Sequence, residues 1–100
     1  MPTLTQLIYI REGQASIFDQ FEAIAIPLIA KYNGVLLLRV RPDATSIIES
    51  SIEAPYEIHV VEFPADEDFI AFMKDEERKR FLHLKEQSIR ASVLVKGEKL

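Results

Sequence analysis

The run Gly34-Val35-Leu36-Leu37-Leu38-Arg39-Val40 is apolar on both phases of an extended chain. Side chains of a strand alternate between faces, which sets Val35 and Leu37 on one side and Leu36, Leu38 and Val40 on the other. A sheet wetted on one side alternates apolar with polar residues, so this strand predicts a sheet covered on both faces. Ser92-Val93-Leu94-Val95 carries the same signature.

The remaining elements follow from periodicity. Residues 5–11 read as a strand ended by Glu12-Gly13. Residues 14–32 read as a helix, with Ile17, Phe21, Ile24, Leu28 and Tyr32 recurring at steps of three and four and Phe18, Ala25 and Ile29 widening the stripe. Ser16 and Asp19 resemble a capping pair, and Asn33-Gly34 forms a stop tolerant of left-handed backbone. Pro27 lies inside this helix, where the missing N–H predicts a kink rather than two elements. Strands follow at 35–41, 56–63 and 91–96. Between the first two of these, residues 43–55 form a serine-rich loop, with Ile47, Ile48 and Ile52 expected to pin it to the body. Asp66 is expected to cap a helix whose acidic first turn suits the helix dipole and whose buried face is Phe69, Phe72 and Met73. The apolar stripe lapses over 74–79 and resumes at Phe81, Leu84 and Ser88, which predicts two helical segments with a break.

The order βαββαβ with right-handed crossovers gives the α+β, ferredoxin-like arrangement: a four-stranded antiparallel sheet with both helices on one side. Two helices cannot cover both faces. The open face is therefore expected to close against a second copy of the chain, giving a homodimer.

Composition narrows the function classes. One hundred residues, 48% of them hydrophobic, suit one small domain over 1–100. A net charge of −4 argues against general nucleic-acid or anionic-membrane binding. The basic cluster Arg78-Lys79-Arg80 directly follows Asp75-Glu76-Glu77 and reads as a solvated face. There is no cysteine, which removes disulfides, thiolate metal sites and cysteine nucleophiles. The N-terminus lacks a basic region followed by an apolar run, and no stretch is long and apolar enough to span a membrane, so a cytoplasmic protein is expected. Three isolated glycines build no phosphate loop, and two histidines without ligand spacing are a very weak metal signal.

Several motifs resemble the family called domain of unknown function 1330, within the dimeric α+β barrel superfamily. They are Tyr9-Ile10, the Pro27-containing helix leading to Tyr32-Asn33-Gly34, and Val60-Val61-Glu62-Phe63-Pro64. The helical segment from Glu77 to Ser88 and the strand Ser92-Val93-Leu94-Val95 complete the likeness. The segment 43–55 departs from it, being longer than the family's turn-and-strand stretch. The resemblance implies two sheets packed face to face. Superfamily relatives include cofactor-free monooxygenases, haem-degrading enzymes, muconolactone isomerases and stress-responsive binding proteins. The haem-degrading type uses a tryptophan, which this chain lacks. Fold kinship is only analogy for function.

The chemistry-bearing candidates are few. Glu62, in phase with Tyr56, Ile58 and Val60, is either a general acid/base of raised pKa or an ion-pair partner of Arg39 or Arg41. His59, on the opposite phase with Glu57, Val61 and Phe63, is a candidate base or a satisfied interface histidine. Tyr9 and Tyr32 are candidates to line a helix–sheet pocket and offer hydroxyls to a ligand. Arg39, in phase with Val35 and Leu37, either pairs with a carboxylate or clamps an anion. Together these residues frame a cofactor-independent oxygenase or isomerase acting on a small hydrophobic substrate, or a non-catalytic ligand-binding or stress-related dimer. No cofactor and no metal is expected.

Overall fold

The computed structural model describes residues 1–100. Its elements are β1 (Pro2–Ile10), α1 (Ala15–Lys31), β2 (Val35–Val40), β3 (Glu57–Glu62), α2 (Asp66–Met73), α3 (Glu76–Arg80), α4 (Leu82–Ser88) and β4 (Ile89–Glu98). The four strands form one antiparallel sheet in the order β2-β3-β1-β4. The molecule is a slab of 36 × 35 × 16 Å, the depth of one sheet and one helix layer. Two strands run longer than their apolar runs: the inner strand β1 begins at Pro2, and the edge strand β4 extends to Glu98.

Register assigns every strand residue a face. Leu4, Gln6 and Ile8 of β1 lie opposite Val61, His59 and Glu57 of β3, and these point toward the helices. Thr5 and Leu7 lie opposite Val60 and Ile58 and point away. In β2 the pairing jumps from Leu36↔Val61 to Leu38↔Val60, so Leu37 is the extra residue of a bulge. The bulge corrects the strict alternation read from sequence. Val35, Leu38 and Val40 share the open face, while Leu36, Arg39 and Arg41 turn toward the helices; Arg39 is not in phase with Val35.

The core lies between α1 and the sheet. Leu4, Ile29 and Phe63 form its centre, with Tyr32, Leu36, Val61, Phe69 and Phe72 packed around them. Phe18, Phe21, Ala25, Leu28 and Ile29 are the buried face of α1, and Glu22 is buried among them. Pro27 sits on the exposed side, and the helix runs unbroken through it. Ser16 and Asp19 do not cap: the helix starts after Gln14 without a side-chain cap. Asn33 takes the left-handed conformation at φ 66°, and Gly34 serves a different purpose. A Cβ at Gly34 would stand 2.6 Å from Ile29 and 2.7 Å from the Phe63 ring, so this glycine lets the chain turn flush against the core.

Asp66 is the first residue of α2 rather than its cap, and with Glu67 and Asp68 it charges the first turn. The break after α2 is made by Asp75, whose carboxylate accepts from the Arg78 N–H at 3.0 Å and starts α3. A further break at Phe81 separates α3 from α4, giving three short segments where the pattern predicted two. Residues 43–55 carry no regular structure. Asp43 folds the start of this loop by accepting from the Thr45 and Ser46 N–H groups at 2.9 and 3.0 Å. Ile48 and Ile52 do not pin it, being 99% and 62% exposed. It is held instead at Glu53, whose carbonyl accepts from the Tyr9 hydroxyl at 2.9 Å and whose carboxylate pairs with Arg90.

The sheet face away from the helices is left apolar and bare. Val35, Leu38, Val40, Val93 and Val95 are all exposed on it. No helix of the chain is long and apolar enough to cross a membrane.

Candidate functional site

The register that turns Glu57 and His59 inward places them under α1, opposite Glu22. Glu22 occupies the middle of the buried stripe, four residues after Phe18 and three before Ala25. A cavity of about 90 Å³ opens beside it between α1, the sheet and α2–α4. Its walls are chiefly apolar, with Phe21, Ile29, Phe63, Phe69 and Phe72 prominent. Five polar side chains also face it: Gln6, Glu22, His59, Arg78 and Lys85.

One end of the cavity is an ionised network. Glu57 is fully buried, and its oxygens accept from Arg39 Nε at 3.1 Å and Arg41 Nε at 2.6 Å. His59 Nε2 contacts Oε2 of the same carboxylate. Burial pushes the Glu57 carboxyl up, but the hydrogen bonds from His59, Arg41 and Arg39 outweigh it and hold the group at about 2. Arg41 is fixed in turn by Asp19 at 2.5 Å and by the Tyr56 ring, 4.9 Å from its guanidinium carbon.

Glu22 behaves in the opposite way. Its nearest charged partner is His59 Nε2 at 3.9 Å, beyond hydrogen-bond length. Burial pushes its carboxyl up to about 7, against the pull of His59. Two carboxyls a few ångströms apart are thus driven in opposite directions, Glu57 fixed as an anion and Glu22 poised to exchange a proton near neutrality. Divergence of this kind marks a candidate site for proton transfer. Glu22, Glu57 and His59 also present ligand atoms within 4.8 Å of one another. A dication there would lie against Arg39 and Arg41, which already supply the positive charge that Glu57 needs.

The structure distributes the sequence-derived candidates unevenly. His59 faces the cavity. Arg39 is one shell removed, on Glu57, and borders a shallow outer groove with Asp19 and Arg41. Glu62 is on the open face with Ile58 and Val60, 3.8 Å from Lys99 and not paired to either arginine. Tyr9 holds the 43–55 loop rather than lining the cavity. Tyr32 donates to Asp75 at 2.5 Å, beside Lys31 at 2.8 Å, and so ties the end of α1 to the start of α3. Arg78 is not part of a solvated face: it is 7% exposed, while Lys79 and Arg80 are exposed. Glu22, Glu57 and Arg78 were the residues that the sequence reading missed. A signal existed for Glu22, since it breaks the apolar stripe of α1 at its centre.

Comparison with known proteins bears on the scaffold. No family model and no curated protein matches the sequence. A protein of unknown function from Rhodopseudomonas palustris superposes with a TM-score of 0.84 at 13% identity, over 99% of this chain and 82% of that one. A dimeric ferredoxin-like protein of unknown function from Jannaschia sp. CCS1 matches with a TM-score of 0.73 at 16% identity, over 98% of each chain. The fold is ferredoxin-like. An antibiotic biosynthesis monooxygenase shares this ferredoxin-like fold at 13% identity and a TM-score of 0.72, over 100% of this chain and 99% of that one. Identities this low speak for the fold alone.

Proposed function

We propose that the chain forms a homodimer through its open sheet faces, as dimeric α+β barrels do, and that each helix–sheet cavity binds one small hydrophobic molecule and moves a proton on it. Proton abstraction from carbon is the step that cofactor-independent isomerases and oxygenases share, and Glu22 is the group placed to perform it. The observation that carries this reading is a carboxyl held at about 7 inside an apolar cavity, next to a histidine fixed by Glu57. Its ionised fraction near neutral pH is large enough to act, and the apolar walls keep the anion poorly solvated and basic. His59 stands beside it, held by Glu57, and Arg39 and Arg41 act through Glu57 as positioning residues. The dimer rests on the exposed valines and leucines of the open face and on neighbours described as dimeric. The likeness to domain of unknown function 1330 belongs to the same reading.

A small ketone supplies the test. Wild-type protein is expected to accelerate α-proton exchange of cyclopentanone in D2O, followed by NMR, with a rate that rises as pH passes about 7. General bases contribute on the order of 10²–10⁴-fold, so Glu22→Gln should slow exchange by at least about tenfold. Light scattering should give twice the 11.5 kDa chain mass, and Val60→Asp should bring it to the mass of one chain. A second reading, ligand binding without turnover, draws on the commitment of His59 Nε2 to Glu57, which leaves the other polar lining residues, Gln6, Glu22, Arg78 and Lys85, to anchor a ligand. Cyclopentanone that shifts cavity resonances without exchanging its protons would select that reading. Failure to bind at all would overturn both.

A further inference from the structure

The cavity wall supplied by α3 and α4 is built differently. Arg78 is 7% exposed, yet its Nε has no hydrogen-bond partner. Its only side-chain hydrogen bond runs from Nη1 to the Met73 carbonyl at a long 3.4 Å, and its guanidinium lies over the Phe72 ring at 5.3 Å. No carboxylate forms an ion pair with its guanidinium; Glu22 and Asp75 act on it only at longer range. Asp75, three residues earlier, is taken by Lys31 and Tyr32 and meets Arg78 only through the backbone N–H. Lys85 of α4 faces the same cavity. Burial lowers the pKa of both cations, the sign that water is not satisfying them.

A buried cation without a partner is costly, and a guanidinium with a free edge matches the two oxygens of a carboxylate. The cavity walls thus carry two cations against one carboxyl, Glu22, while the opposite network of Glu57, Arg39, Arg41 and His59 is closed on itself. We propose that the ligand of this cavity is a small monocarboxylate, its anionic head received by Arg78 and Lys85 and its hydrocarbon body lying among Phe63, Phe69 and Phe72 toward Glu22. A volume of about 90 Å³ holds a head group and a few carbons, less than the ~150 Å³ that accommodates benzene in an engineered protein cavity. The inference deepens the proton-transfer reading and rests on the same cavity. A carboxylate held by Arg78 and Lys85 places the rest of the molecule in the cavity that Glu22 lines.

Isobutyrate and its neutral isostere isobutyramide are the probes, titrated into the full-length protein at pH 7.5 and followed by NMR. Isobutyrate is expected to bind about tenfold tighter or more, the range of a charge-assisted hydrogen bond. Arg78→Met should abolish that preference while leaving isobutyramide unchanged. Lys85→Met, at a position less buried than Arg78, should weaken isobutyrate several-fold and carries the test if Arg78→Met does not fold. An anion in the cavity should also move the Glu22 carboxyl resonance to a higher titration midpoint, an effect that a merely structural arginine would not produce. Equal binding of the two probes would overturn the anion inference and leave the cavity reading intact. So would cyclopentanone exchange without isobutyrate binding. Shifts confined to surface lysines would overturn it as well.

Discussion

Glu57→Ala is expected to destabilise the fold by about 3 kcal/mol at neutral pH, the low end of the cost of breaking a buried ion pair. The wild-type carboxylate is reached by no solvent and is shared by Arg39, Arg41 and His59. Removing it leaves two guanidiniums facing a histidine across a small void. The arginine side chains are 36% and 41% exposed, so they can turn outward and recover hydration, which is why the low end applies. The pH dependence gives a sharper signature. Glu57 sits at about 2 in the folded protein against 4.5 unfolded, so the unfolded chain binds the proton more readily. Its stabilisation is complete above about 4.5 and drains away as pH falls toward 2. Urea unfolding from pH 7 down to pH 3 should show wild type losing stability faster than the variant. Parallel curves would mean that the network carries no net charge stabilisation.

The second large effect has the opposite sign. Glu22→Gln should raise stability at pH 8 by about 3 kcal/mol and leave it nearly unchanged at pH 4.5. Here the folded state holds the proton more tightly, to about 7 against 4.5. As pH rises through that window the unfolded chain ionises at no cost while the folded one must bury an anion. The penalty accumulates until about pH 7 and then stays constant. Chemical denaturation of both proteins at pH 4.5, 6 and 8 measures it directly. A difference independent of pH would show that Glu22 is not a buried titrating acid, and the proton-transfer reading would fall with it. Taken together, Glu57 and Glu22 place the stability optimum on the acidic side of neutrality. The same destabilised carboxyl is the one offered for chemistry, which is the usual tension between stability and activity at a site.

Much of the scaffold could be read from the residues. Two-sided apolar strands, a helix with one broad stripe, and proline at Pro42 and Pro64 after strands gave the order βαββαβ and the open face. The site was less legible, for reasons that differ residue by residue. His59 was visible because a histidine in an apolar strand stands out. Glu22 left one trace, a charge in the middle of the apolar stripe, but only packing shows that it stays buried with Phe18, Ala25 and Ile29. Arg78 was masked by its neighbours: three basic residues after three acidic ones look solvated, and one turn of helix directs the first of them inward. Arg39 was assigned to the wrong face because a bulge shifts the alternation by one, and bulges leave no mark in a run of identical apolar residues.

That bulge has a further meaning for how the chain tolerates change in length. Leu37 is the residue left out of the pairing, and it stands between two other leucines. Deleting any one of Leu36, Leu37 and Leu38 yields the same sequence, and that sequence restores plain alternation with the same side chain at every paired position. Arg39 would still reach Glu57, and Val35 and Val40 would still face outward. The strand can therefore lose one leucine codon without disturbing the chemistry beside it.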